Sequence, residues 1–171
     1  KGKSRHKLWM DLCQLVCKHP TQVKSLRVEA IIRSGLRTFT DEAGHLWCAL
    51  ADFFIRQAQF EQARDVYEEG ISSVITVRDF SMIFDAYSQF EESLVTAQID
   101  AQQQSGAPPL ADDSPEQQDL DMRLARLERL MERRPELLSS VLLRQNPHAV
   151  HEWIKRSEEH TSELQSLAYL V

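Results

Sequence analysis

The stretch His45–Phe54, HLWCALADFF, decides how the rest of the chain reads. Leu46, Trp47, Leu50, Ala51, Phe53 and Phe54 recur at three-and-four spacing, which lays them along one stripe of a helix. Beyond Arg56, in and after the polar run RQAQFEQ (Arg56–Gln62), a second set at the same spacing comprises Phe60, Ala63, Val66 and Tyr67. Two amphipathic helices joined by a short polar turn make an antiparallel helical hairpin. The other two tryptophans, Trp9 in KLWMDLCQLV and Trp153 in HEWIKR, also open helix-like stretches. A large aromatic recurring at one place in successive segments points to a repeated unit rather than to a single catalytic pocket.

Working outward, the spacing predicts a helix over 77–95, with Phe80, Ile83, Phe84, Tyr87, Phe90 and Leu94 on one face and an N-cap region at Thr76–Asp79. Upstream, Leu8, Trp9, Leu12, Leu15 and Val16 form a stripe, Pro20–Gln22 interrupts it, and Val28–Leu36 supplies a partner helix. The anchors Trp9, Trp47 and Phe84 stand 38 and 37 residues apart. That period is the signature of a helical solenoid. The predicted fold is therefore all-α, a solenoid of helical hairpins over residues 1–97.

The pattern then breaks. Residues 98–118, QIDAQQQSGAPPLADDSPEQQ, hold Gly106, Pro108, Pro109 and Pro115 with almost no large apolar side chain, and read as a disordered acidic insert. Helical repeats are expected to continue over 119–156, first through Leu120, Met122, Leu124, Leu127, Leu130 and Met131 as far as Pro135, then through Leu137–Leu143. Pro147 suits the first turn of a further helix carrying Trp153. Residues 157–171 depart from the pattern. Ser157–Ser162 is polar throughout, and RSEEHTSELQS, Arg156–Ser166, resembles one reading frame of a sequencing-library adapter, so 157–171 reads as an artefactual tail with Arg156 ambiguous.

Composition narrows the function classes. Across 171 residues, 42% hydrophobic and 27% charged is ordinary for a globular chain, and five glycines with no alternating β-branched runs disfavour a sheet protein. A net charge of −6 speaks against non-specific binding to nucleic acid or anionic membranes, which need a basic surface. No apolar run approaches the ~20 residues of a membrane span. Because the sequence does not start with Met, a fragment is expected. Cys13, Cys17 and Cys48 are odd in number and lack CxxC spacing, which disfavours a disulfide framework or zinc site and fits a reducing compartment. Cys13 and Cys17, four apart on a helix, read as small buried hydrophobes.

Candidate chemistry is sparse. His148 and His151, followed by Glu152, have no further ligand cluster and read as surface or capping residues rather than metal ligands. There is no HExxH, P-loop, GxSxG or dinucleotide fingerprint, so no enzyme, cofactor or small-molecule substrate is expected. The run RLARLERLMERR offers Arg123, Arg126, Arg129, Arg133 and Arg134 as an RNA-binding stripe, but Glu128 and Glu132 interleave with it, as on a solvated helix face. The basic residues Lys1, Lys3, Arg5 and Lys7 lie at the end of the chain.

Two segments carry a resemblance. Phe84, Tyr87, Phe90 and Glu91, in FDAYSQFEES, resemble the first helix of the half-a-TPR (HAT) repeat, and Ala63, Arg64, Val66, Tyr67 and Glu68, in QARDVYEEG, resemble its second. Trp47 matches the anchor, with Leu50 and Phe54 replacing the usual tyrosine and glutamate. Trp9 also fits, while Ile31, Ile32 and Arg33 match only loosely. The expected repeat-motif core is Trp9, Trp47, Phe53, Ala63, Arg64, Tyr67, Glu68, Phe84, Tyr87, Phe90, Glu91 and Trp153. More closely, FTDEAGHLWCALADFFIRQAQFEQARDVYEEGI, VRDFSMIFDAYSQFEES, LARLERLMERRPELL and SVLLRQNPHAVHEWIKR resemble the N-terminal part of the Syf-type pre-mRNA splicing factors, the XPA-binding family in animals, from Lys1 to about Lys155. The resemblance implies a nuclear, non-catalytic scaffold whose partners are spliceosomal proteins of the nineteen complex, with a further link to transcription-coupled repair. The alternative is an RNA-binding helical-repeat module using the arginine-rich helix 123–134.

Overall fold

The computed structural model describes residues 4–19, 26–40, 43–104 and 114–158. Within them the chain is helical, with α1 (Arg5–Lys18), α2 (Val28–Thr38), α3 (Ala43–Arg56), α4 (Phe60–Ser73), α5 (Val77–Gln104), α6 (Pro115–Glu132) and α7 (Arg134–Gln145). Residues 150–158 form a further helix, α8. No described helix is long and apolar enough to cross a membrane.

Local chemistry sets the helix starts. Ser4 and Ser114 cap α1 and α6 by accepting from the backbone N–H three residues on, at 3.2 Å in each case. Thr76 and Asp79 cap α5 reciprocally: Asp79 N–H donates to Thr76 Oγ1 at 3.1 Å, and the hydroxyl donates back to Asp79 Oδ2 at 2.7 Å. Asp79 also serves a second helix, because its Oδ1 accepts from Gly44 N–H, at the start of α3, at 3.3 Å. One buried carboxylate thus satisfies the N-termini of two neighbouring first helices.

The turn in RQAQFEQ is three residues long. Gln59 N–H returns to Phe54 C=O and Ala58 N–H to Ile55 C=O, at 3.0 and 2.9 Å. This Schellman closure needs a left-handed residue after the helix, and Ala58 fills it at φ 59°.

The expected solenoid is present. The first helices α1, α3 and α5 pack in series, α2 and α4 cover their partners, and α7 lies against both α4 and α5. One core runs through the hairpins from Cys13 and Ile32, past Leu46, Leu50, Tyr67, Ile83 and Phe84, to Leu130 and Val141.

The structure departs from the sequence reading in four places. The stretch 98–118 is not irregular throughout: α5 continues to Gln104 and α6 starts at Pro115, leaving 105–113 outside the described residues. Ala97, Ala101 and the run of glutamines are competent helix formers, and Gln98 Nε2 donates to Glu116 C=O at 3.1 Å, tying α5 to α6. Pro135 does not simply end a helix. It occupies the first turn of α7, where its missing N–H has no partner to lose. In α1 the buried residues are Cys13, Val16 and Cys17, whereas Leu8, Leu12 and Leu15 face outward. Trp153 is 52% exposed rather than a core anchor, since no described helix covers its face of α8, and its Nε1–H donates to Pro147 C=O at 3.0 Å.

Candidate interaction surface

Two stacked hairpins need more than apolar contact to fix their register, and the repeat-motif residues supply it. On α4, Arg64 donates through Nε to Glu91 Oε1 at 2.6 Å and through Nη2 to Glu91 Oε2 at 3.2 Å, while Nη1 reaches Glu61 at 2.7 Å. Glu91 is 1% exposed, so its charge depends on this bidentate partner. The Arg64 guanidinium also lies 5.7 Å from the Phe90 ring centre. Tyr67 stacks on Tyr87 at 5.0 Å and 12°, and meets Phe90 at 6.1 Å. Burial drives the phenols of Tyr67 and Tyr87 well above the usual tyrosine pKa, keeping both neutral. Ala63, fully buried, completes the α4 face. Residues from the two halves of the motif, 27 apart for Arg64 and Glu91, therefore meet in one cluster between α4 and α5.

The tryptophans pack by a common device. Trp47 in α3 lies against Gly70 of α4, where an added Cβ would stand 3.1 Å from Trp47 Cγ and 3.2 Å from Ile83 Cδ1. Trp9 in α1 takes the same place over Gly35 of α2, where an added Cβ would collide with Trp9 Nε1. A glycine in the second helix thus admits the indole of the first. Phe53 is half-buried beside Phe54, their rings meeting edge to face at 5.4 Å.

Adjacent carboxylates on α4 bind neighbours on either side. Glu69 receives both Arg33 Nη atoms, from α2, at 2.7 and 2.8 Å, and Arg33 also contacts Glu29 and the Trp47 ring. Glu68 receives both Nη atoms of Arg133, at the α6–α7 junction, at 3.0 and 3.1 Å. Arg144 of α7 donates to the carbonyls of Ile71 and Val74 at 2.8 and 3.0 Å, capping the end of α4, whose last turn has no basic residue of its own. Motif matching found Glu68 but missed Arg133, Arg144 and Glu69, because these partners are set by packing rather than by chain spacing.

The proposed arginine stripe does not form one solvated row. Arg123 pairs with Asp119 at 3.0 Å, Arg126 lies 3.5 Å from Glu61, Arg133 is held by Glu68, and Arg134 lies 5.4 Å from the Phe84 ring centre. The Arg129 side chain is exposed. Among the described residues no three His, Cys, Asp or Glu side chains gather in a metal-binding group, and His148 and His151 are exposed. Cys13 and Cys17 are buried and Cys48 half-buried, and burial raises all three thiol pKa values, those of Cys17 and Cys48 to about 12. Arg156, ambiguous from sequence, donates to Ser140 Oγ at 2.9 Å and lies 3.6 Å from Glu136.

The surface available to a partner includes exposed apolar side chains and, among its depressions, a shallow cleft. The cleft, about 280 Å³, lies where α2, α3 and the end of α4 meet, with Leu36, Ala43, Trp47 and Val74 among its apolar lining and Arg33, Arg37 and Glu69 at its charged part. Such an arrangement can receive a side chain.

Comparison with known proteins bears on this arrangement. The family model described as the pre-mRNA-splicing factor SYF1 middle HAT repeat matches residues 1–167. The chain is 55% identical over 159 residues to pre-mRNA-splicing factor SYF1 of Homo sapiens, covering 93% of this chain and 18% of that protein. It is 54% identical over 155 residues to the Drosophila melanogaster homologue, covering 91% of this chain and 17% of the relative. For SYF1 of Dictyostelium discoideum, identity is 44% over 159 residues, covering 91% and 18%. The chain thus spans less than a fifth of the length of these relatives. The match is to the middle of the repeat array, correcting the N-terminal placement read from sequence, and it runs into the segment 157–171 that the sequence set apart.

Proposed function

Because the chain belongs to the SYF1 family of HAT-repeat pre-mRNA-splicing factors, we propose that it acts as a non-catalytic scaffold segment in the nucleus, holding proteins of the spliceosomal nineteen complex. A further role in transcription-coupled repair belongs to the same reading. The observation that carries it is how the charged motif residues are used: Arg64 binds Glu91, and Glu68 binds Arg133, each across helices rather than converging on an open pocket. Such contacts hold hairpins in register, and registered hairpins present extended surfaces to other proteins. The same usage disfavours the RNA-binding alternative, since Arg123, Arg126, Arg133 and Arg134 already have partners within the chain.

The test uses the full-length protein immobilised in nuclear extract, with and without ribonuclease. Nineteen-complex proteins retained after ribonuclease treatment support the scaffold reading. Their loss on treatment, together with RNA binding by the purified protein that weakens steeply with salt, would replace it with the RNA-binding one.

A further inference from the structure

The two junctions between successive second helices begin alike and finish differently. Where α4 meets the α6–α7 turn, the Glu68–Arg133 pair is followed one turn on by Arg144 of α7, which reaches over the end of α4 to the carbonyls of Ile71 and Val74. Where α2 meets α4, the Arg33–Glu69 pair takes the first part, and beyond it, at the end of α2, the cleft opens. The buried Trp47 and Val74 form its floor, and Ile75, also in its lining, is 55% exposed. Of its charged side chains, Arg33 and Glu69 neutralise one another through two hydrogen bonds. Arg37, exposed on the last turn of α2, enters no ion pair among the described residues.

We propose that this cleft is a peptide-docking site: it takes one bulky apolar side chain from a short acidic segment of another protein, whose aspartate or glutamate beside that side chain pairs with Arg37. The proposal rests on the scaffold reading and gives it a partner chemistry. Charge selects the occupant first. An unmatched guanidinium beside an apolar floor is complemented by a carboxylate next to an apolar side chain. Size selects it again. At about 280 Å³ the cleft seats a side chain, whereas a second copy or a folded partner needs roughly 800 Å² of contact on each side. Nor is the cleft an end of the array, because it lies between two hairpins already stacked, α1–α2 and α3–α4.

The experiment measures binding of the purified full-length protein, by fluorescence polarisation, to two fluorescein-labelled peptides of serine and glycine, one with a single leucine between aspartates and the other with that leucine between lysines. The aspartate peptide is expected to bind saturably with a Kd below about 1 mM, and the lysine peptide about fivefold or more weakly. Arg37→Glu should reverse that order, and Ile75→Ser should weaken the aspartate peptide about fivefold or more by removing apolar contact. Both residues are exposed, so both variants should keep the parent melting temperature. Absence of saturable binding, equal affinity for the two peptides, or binding indifferent to both substitutions would overturn the proposal. So would an Arg37-dependent complex with an oligouridylate that displaces the aspartate peptide, which assigns the cleft to RNA, or a dimer lost in Ile75→Ser, which assigns it to a second copy. Nineteen-complex proteins retained from ribonuclease-treated extract by a protein that binds neither peptide would remove the cleft and keep the scaffold. Peptide binding without retention would do the reverse.

Discussion

The hairpin α3–α4 and the hairpin α1–α2 are built from one pattern and differ in their surroundings. Trp47 and Trp9 each sit over a glycine of the second helix, yet Trp47 is buried and Trp9 only half-buried. Leu50 is inaccessible and Leu12 is not. Stability in such an array resides in the interfaces between hairpins as much as in the hairpins, so the same residue is worth more in the middle than at an end. At the other extreme is Trp153, which shares the residue type and a helical setting but is half exposed, with no described helix over its face.

Substitutions can break this comparison. Trp47→Ala should lower unfolding free energy by about 3–5 kcal/mol, the range for a large aromatic in a packed core. Trp9→Ala should cost distinctly less, and Trp153→Ala no more than about 0.5 kcal/mol, as for a surface position. Urea midpoints of the three variants, taken together, check the order. Equal losses would show that the environment of the hairpin does not matter.

Arg64→Ala is expected to fall in a similar range, about 3–5 kcal/mol, because it leaves the Glu91 carboxylate buried without its partner. The double variant Arg64→Met with Glu91→Leu should recover most of that loss, to within about 1–2 kcal/mol of the parent, since an apolar pair avoids the desolvation of both charges. A double variant as unstable as the single one would mean that the guanidinium contacts to Glu61 and Phe90 matter more than the buried pair.

A smaller effect of opposite sign is expected at the turn. Ala58→Gly removes the Cβ from a left-handed position and should stabilise the α3–α4 hairpin by up to about 1 kcal/mol, visible as a raised urea midpoint with an unchanged slope. Loss of stability instead would place the cost of glycine's freedom in the unfolded chain above the strain relieved.

The weakest effect is in pH dependence. Burial raises the thiols of Cys17 and Cys48 from the ordinary value of 9.0 to about 12, favouring the neutral form in the folded state. The stability this contributes is fully present below pH 9.0 and is lost as pH climbs towards 12. Alkylation of these thiols in the native protein should be slow at pH 8 and accelerate about tenfold per pH unit above it. Rapid alkylation at pH 8 would show that the two helices open readily.

Much of this was legible in the chain because it depends on local periodicity. The three-and-four spacing of Leu46, Trp47, Leu50 and Phe54 locates α3, and the 38- and 37-residue steps between anchors reveal a repeat before any contact is known. The pairing of Arg64 with Glu91 followed from neither spacing nor charge, though both residues were visible as motif positions. Helix boundaries were less legible where composition misled. Gln98–Gln104 lacks apolar residues apart from Ile99 and the alanine, yet remains helical as a continuation of α5 alongside α6.

What the sequence by itself determined is therefore the class of element and the repeat, since hydrophobic period and cap chemistry act within a few residues along the chain. Tertiary structure alone decided which face of each helix is covered. Leu8, Leu12 and Leu15 make as regular a stripe as Cys13, Val16 and Cys17, and only the second set is buried in the core. It also decided where the charges go: Glu68 to Arg133, Glu69 to Arg33 and Arg144 to the end of α4. Burial and ion pairing depend on what other parts of the chain bring within a few ångströms, and a pattern read along one dimension carries no such distance.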